Sequence, residues 1–122
     1  MALAGFPESA EAVARRIDQL DEHREFGLVA GHDGAVEGVL AAHAYHVLHR
    51  EAPVGRITLL IVHPTVHGTG RGRSLLEAAE ARLRLMHCEL VEVISNHRYR
   101  AAHGFYEHLG YLRTSSKFRK DL

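Results

Sequence analysis

Residues 62–76 read VHPTVHGTGRGRSLL, and this stretch limits the fold more than any other. An apolar run, residues 57–62, stops at Pro64. A glycine-rich turn follows, and then apolar residues recur at helical spacing. The implied order is a strand, a loop of exposed backbone N–H groups and a helix N-terminus. Such an N-terminus carries about half a positive charge and unpaired amides, so it attracts phosphate. Gly68, Gly70 and Gly72 allow a backbone approach that a Cβ would prevent. Arg71 and Arg73 add positive charge at the same end. The stretch is read as a pyrophosphate cradle. A β-branched residue at Gly70 or Gly72 is expected to close that approach while leaving the fold intact.

The spacing separates the known phosphate loops. A P-loop needs Gly, four residues, then Gly-Lys-Ser/Thr. Counting back from Gly72 puts His67 at the first position, and Arg73 replaces the Lys. The dinucleotide fingerprint needs Gly-x-Gly-x-x-Gly after an early strand, with an acidic residue about twenty positions on. Here the glycines run Gly68-x-Gly70-x-Gly72, and no such unit precedes them.

A third pattern fits. The loop resembles the acyl-CoA-binding motif of the GNAT superfamily of N-acetyltransferases, Gln/Arg-x-x-Gly-x-Gly/Ala. Gly70 and Gly72 take the two glycine positions, and His67 stands where Gln or Arg is usual. Downstream, AHGFYEHLGY at residues 102–111 resembles the superfamily's late Ala-x-x-Phe-Tyr-x-x-x-Gly-Phe/Tyr segment. Two motifs in order, about thirty residues apart, are far more specific than either alone. The resemblance covers roughly residues 55–122.

Composition sets outer bounds. The chain has 122 residues, enough for a single domain with one real core. Fifteen basic residues balance fifteen acidic ones, so nothing overall points to nucleic acid or an acidic membrane surface. The single cysteine, Cys88, excludes an internal disulfide and reads as a cytoplasmic chain. Gly5, Pro7 and several charges interrupt residues 1–20, which read as neither signal peptide nor membrane span. Eleven histidines are unusual. His43, His46 and His49 are spaced three apart, but in a strand that spacing puts His46 on the face opposite the other two. No cysteine and no HExxH accompany them, so no metal site is expected.

The pattern predicts α-β-β-β-α-β-α-β: a mixed sheet with helices on both faces. Ser9 caps a helix that runs to about Leu20. Residues 26–30 and 36–48 form a hairpin, the second strand being covered on both faces. Residues 56–62 form the next strand. The helix after the loop buries Leu75, Leu76, Ala79 and Leu83. Residues 88–94 form a central strand. A helix over residues 99–109 buries Ala102, Phe105 and Leu109 and stops at Gly110. Residues 111–119 return as a final strand. Against the superfamily pattern, the opening strand is missing. Residues 26–30 are then an edge that a second copy or the N-terminal segment would cover.

The resemblance implies a GNAT-like acyl-CoA N-acyltransferase fold and a chemistry. Pantetheine would pair with the backbone of Leu60, Ile61 and Val62, in a wedge where two strands part. The pyrophosphate would sit on the amides from Gly68 through Thr69, Gly70, Arg71 and Gly72 to Arg73, with His67 also a cofactor-binding position. Asn96 would bond the pantetheine amide. Tyr106 falls on the general-acid tyrosine and would protonate the departing thiolate. An acceptor amine must also lose a proton, since a free alkylamine has a pKa of about 10. Many relatives carry a glutamate for this on the strand before the loop, but residues 56–62 contain no carboxylate. His43, His46, His63 or a water chain are the alternatives. Tyr99 stands where Asn or Arg is frequent.

Acetyl-CoA is the implied co-substrate, with no metal. The acceptor is a small-molecule amine, such as an aminoglycoside or polyamine, or a protein amine. The alternative is a degenerate GNAT domain that binds acyl-CoA as a sensor or interaction module. A histidine-based metal-binding protein is the weakest alternative.

Overall fold

The computed structural model describes residues 24–32, 34–93, 100–114 and 118–122. In chain order the elements are β1 (Glu25–His32), β2 (Ala35–Tyr45), β3 (Val54–Val62), α1 (Arg71–Leu85), β4 (Leu90–Val93) and α2 (Arg100–His108). They make a mixed α/β fold, with a four-stranded sheet among the described residues in the order β1-β2-β3-β4. β1 and β2 are antiparallel, as are β2 and β3. β3 and β4 are parallel. Parallel neighbours need a crossover, and the loop and α1 supply it.

α1 lies on the sheet through the predicted stripe: Leu75, Leu76, Ala79 and Leu83 are all buried. They pack with Leu40, Ala42, Ile57, Leu60 and Val62. Val39, Leu59 and Ile61 form a second buried cluster. β2 therefore contributes to two clusters, as its long apolar run implied, and so does β3. Strict alternation fails at Thr58. Ala41 pairs with Leu59 and Ala42 with Ile57, leaving Thr58 as the extra residue of a bulge. Ile57 and Leu60 thus share a cluster although they are three positions apart.

α1 ends without glycine. The Cys88 N–H donates to Leu83 O at 3.0 Å, across a left-handed His87 with φ 71°. Gly110, as expected, takes the left-handed conformation after α2, with φ 94°.

The expected final strand, residues 111–119, is corrected for its described residues. Residues 111–114 and 118–122 carry no regular element, and Leu112, Phe118 and Leu122 are exposed. The physical reason is in the sequence: five polar residues, 113–117, separate Leu112 from Phe118. Polar residues at 113 and 114 offer no apolar face for a strand to bury, and the expected strand's residues 115–117 lie outside the described residues. The expected helix over residues 9–20, and the question of an opening strand, lie outside the described residues. Among the described residues, β1 and β4 are the sheet edges, and no helix is long and apolar enough to cross a membrane.

Candidate active site

The loop between β3 and α1 is built from short-range bonds. His63 caps a single 3-10 turn, Pro64–Val66, its Nδ1 accepting the Thr65 N–H at 3.3 Å. The His67 Nε2–H donates to Val62 O at 2.9 Å, fastening the loop to the end of β3. Exposed Thr69 closes back on the turn: its N–H donates to Val66 O at 3.2 Å, and its hydroxyl donates to the same oxygen.

The three glycines do different work. Gly68 and Gly70 have φ of 80° and 87°, and nothing lies within 4 Å of where a Cβ would stand. Their requirement is conformational. Gly72 is a close approach. A Cβ there would lie 3.2 Å from Phe105 Cζ and 3.5 Å from Val62 Cγ2. The expectation that Gly72 could be replaced without touching the fold is therefore corrected: the position is a packing contact of α1 with α2 and β3.

Gly70 is the N-cap of α1, and its carbonyl accepts the Ser74 N–H at 2.9 Å. The amides of Arg71, Gly72 and Arg73 precede the first helical bond and are left over by helix geometry. The two arginines diverge. The Arg73 Nε–H donates to Glu77 at 2.6 Å, one turn along an exposed helix face. The Arg71 Nε–H donates to Glu37 of β2 at 3.2 Å.

The late motif lies against this loop. Phe105 is half-buried beside Gly72, and Tyr106 is buried in the main core with Leu60, Val62 and Leu76. Tyr106 stacks edge-on with Phe105 and Tyr111, at centroid distances of 5.4 and 5.8 Å. Its hydroxyl makes no hydrogen bond among the described residues, and burial pushes its pKa up to about 12. The Tyr111 hydroxyl is anchored on Glu80 at 2.6 Å. Burial, then that carboxylate, raises its pKa. An open cavity of about 520 Å³ runs between α1 and the end of α2, lined by Arg73, Leu76, Glu77, Glu80 and His108.

On β3, Leu60, Ile61 and Val62 pair with Leu40, Val39 and Gly38 of β2. On the other side, the described β3–β4 ladder runs from Val54↔Leu90 to Ile57↔Val93. One rung before that end, Arg56 faces Glu92. Arg56 Nη2 donates to Glu92 at 2.7 Å and to the Tyr45 hydroxyl at 2.8 Å. Tyr45 in turn donates to Glu92. Ile57 lies in the α1-side core, so its neighbour Arg56 faces the other side of the sheet. The Tyr45 bond, then Arg56, holds the Glu92 carboxyl below its usual range.

Sequence reasoning missed Glu37, Tyr45, Arg56 and Glu92. The signal was available for two of them: Glu92 is the acid inside Leu90–Val93, and Glu37 sits between Val36 and Gly38. A charge within an apolar strand needs a partner, but only the register names it. Of the proposed proton acceptors, His43 stacks on Tyr45 at 5.3 Å, His46 is exposed, and His63 is engaged by Thr65. Asn96 and Tyr99 lie outside the described residues.

Known proteins resemble this chain in sequence and fold. A model of the acetyltransferase (GNAT) family matches residues 2–111. The aminoalkylphosphonate N-acetyltransferase of Salmonella typhimurium is 36% identical over 90 residues, covering 74% of this chain and 58% of that protein. A crystal structure of an acetyltransferase from Trypanosoma brucei superposes with a TM-score of 0.76 at 25% identity, covering 96% of this chain and 82% of the other. The aminoglycoside N-acetyltransferase AAC(6')-Iy in complex with CoA superposes with a TM-score of 0.76 at 18% identity, covering 91% of this chain and 74% of the other. At that identity the likeness shows the fold alone. The family match spans most of the sequence, and the chain belongs to the GNAT acetyltransferase family.

Proposed function

We propose that this chain is an acetyl-CoA-dependent N-acetyltransferase that acts on a primary amine by direct attack in a ternary complex. One observation carries the reading: the two motifs, distant in sequence, meet where Gly72 approaches Phe105. The start of α1 and the Tyr106-bearing helix thereby border one cleft. The N–H groups of Gly68, Gly70, Arg71, Gly72 and Arg73 take the pyrophosphate, with His67 and Thr69 holding the loop in shape. The backbone of Leu60, Ile61 and Val62 lies along the pantetheine and supplies N–H donors to the tetrahedral oxyanion. Asn96 completes the pantetheine contacts.

The amine nitrogen attacks the thioester carbonyl, the oxyanion forms, and the C–S bond breaks to release CoA. The nitrogen loses its proton to water or a nearby histidine. Tyr106 serves the departing sulfur. With its pKa near 12, the phenol is far weaker as an acid than a thiol of about 8.5. Full transfer to the thiolate is uphill, so Tyr106 stabilises the developing charge by donating a hydrogen bond.

The chain spans 58% of the length of the Salmonella relative. That relative's name supports a small acceptor in which an amine and an acidic group share a short alkyl chain. Aminoalkylphosphonates are the first class to test, ahead of aminoglycosides, polyamines and protein amines. A second reading, a domain that binds acyl-CoA without turnover, draws on the lack of a carboxylate in β3. Calorimetry with acetyl-CoA, followed by thiol release over a panel of these amines, separates the readings. Binding with amine-dependent thiol release supports the enzyme. Binding without release supports the module, and no binding removes both.

A further inference from the structure

Glu37 sits at the junction of three structural features. It lies at the β-bulge of the β1–β2 hairpin, where Gly31 pairs with Val36 and Ala30 with Gly38. A bulge re-aims a side chain out of strict alternation. Its carbonyl accepts the His63 N–H at 2.7 Å, at the point where β3 passes into the loop. Its carboxylate, with a side chain only 19% exposed, accepts from Arg71 Nε at 3.2 Å. One strand residue thus holds both ends of the glycine loop.

The geometry of the ion pair gives it a purpose. An arginine has five N–H donors in a rigid fork. Arg71 uses Nε on Glu37. Among the described residues, its two terminal nitrogens make no bond. Those nitrogens form one edge of the fork, and that edge can grip a phosphate bidentately. A contact through Nε restrains the guanidinium and, among the described residues, leaves the terminal nitrogens unbonded, on a side chain carried by the first residue of α1. The carboxylate also repels an incoming phosphate. A device for attraction alone would omit it, whereas a device for orientation accepts that repulsion.

We propose that Glu37 is a positioning residue for the cofactor, holding Arg71 so that its terminal nitrogens face the diphosphate of the acyl-CoA. This rests on the acetyl-CoA reading above. Arg71 supplies the contact, and Glu37 fixes its direction. Glu37→Gln keeps an oxygen that accepts from Arg71, and Glu37→Ala removes it. The backbone bond to His63 survives in both.

The test is calorimetric, with CoA and, in parallel, pantetheine, which lacks the phosphates. Thermal melts check the fold of each variant. Glu37→Ala is expected to weaken CoA about tenfold, the scale of one charge-assisted contact. Glu37→Gln should recover most of that affinity, and neither variant should alter pantetheine binding. In an Arg71→Ala background, Glu37→Ala should have no further effect, since the two act as one unit. CoA binding by Glu37→Ala that equals or exceeds the parent's overturns the assignment, as does an equal loss with pantetheine. A parent chain that ignores CoA defeats the functional reading and this assignment together. A parent that binds CoA, with an unaffected Glu37→Ala, defeats this assignment alone. If Glu37→Ala fails to fold, Glu37→Gln decides: parent-like CoA binding supports the role, and CoA affinity lowered as far as in Arg71→Ala overturns it.

Discussion

Gly72 and Phe105 are in contact at the point where α1 and α2 converge on the end of β3. A Cβ on Gly72 would lie 3.2 Å from Phe105 Cζ. This contact joins the two motifs that define the chain's family, and it divides the loop glycines by the kind of constraint they carry.

Gly70→Ala and Gly72→Ala should therefore fail differently. At Gly70 the space is open and φ is 87°, so the loss is backbone strain of about 1–2 kcal/mol. Gly70→Asn should lose less, because Asn tolerates the left-handed region. At Gly72 the backbone is ordinary, and the loss comes from pushing Phe105 aside. Combining Gly72→Ala with Phe105→Leu should recover part of it, while the Gly70 variants gain nothing from Phe105→Leu. Thermal melts of the single and double variants measure this.

His87 offers a gain in stability. It holds a left-handed conformation, φ 71°, at the end of α1, a place that glycine fills more easily. His87→Gly should stabilise the fold by about 0.5–1 kcal/mol. Chemical denaturation with an unchanged slope would register the shift.

Tyr106→Phe separates catalysis from packing. The ring remains and keeps its contacts with Phe105 and Tyr111. A buried hydroxyl without a partner among the described residues is removed, so the melting temperature should hold or rise. Acetyl-CoA affinity should stay within twofold, about 0.4 kcal/mol. The kcat should fall on the order of 10²-fold, the low end for a positioned donor. Since burial pushes Tyr106 up to about 12, its proton stays on throughout the neutral range, and the rate should show no alkaline loss from Tyr106 below that value. An unchanged kcat would leave Tyr106 as a core aromatic.

The Tyr45–Arg56–Glu92 cluster should give stability a defined pH window. Glu92 is lowered in the folded state, by the Tyr45 bond first and Arg56 next. Its contribution is present above its unfolded value, about pH 4.3, and is lost as pH falls through the folded value. Tyr45 is raised, by burial first and the Glu92 bond next. Its contribution is present below about pH 10 and is lost as pH rises through its folded value. Melting temperatures of the parent and Glu92→Gln should differ most between these limits and converge in acid. The groups are partly exposed, with side chains 34% and 42% accessible for Arg56 and Glu92, so the difference should shrink in high salt.

What the sequence disclosed follows the range of the forces involved. The start of α1 and its buried stripe Leu75, Leu76, Ala79 and Leu83 were legible, because helical periodicity and glycine punctuation act locally. The stop at Gly110 was legible for the same reason. Arg56 and Glu92 were not, because 36 residues separate them and only the β3–β4 register brings them together. The bulge at Thr58 was hidden too, since a single extra residue leaves no mark in the apolar run. The end of the chain was less legible: Tyr111 packs against the core, but the described residues 112–114 and 118–119 carry no strand, and Leu112 and Phe118 are exposed. At the loop, the glycine spacing pointed to a cradle. It could not show that Gly68 and Gly70 are conformational while Gly72 is steric.

The central claim is acetyl transfer to an amine from a cofactor held at the glycine loop. The most direct measurement incubates the chain with acetyl-CoA and an aminoalkylphosphonate and quantifies free CoA and N-acetylated product by mass spectrometry. The account predicts that both appear in equal amounts, at a rate that depends on the amine and falls in Tyr106→Phe. Free CoA without acetylated product, or neither product with any primary amine in the panel, would contradict it.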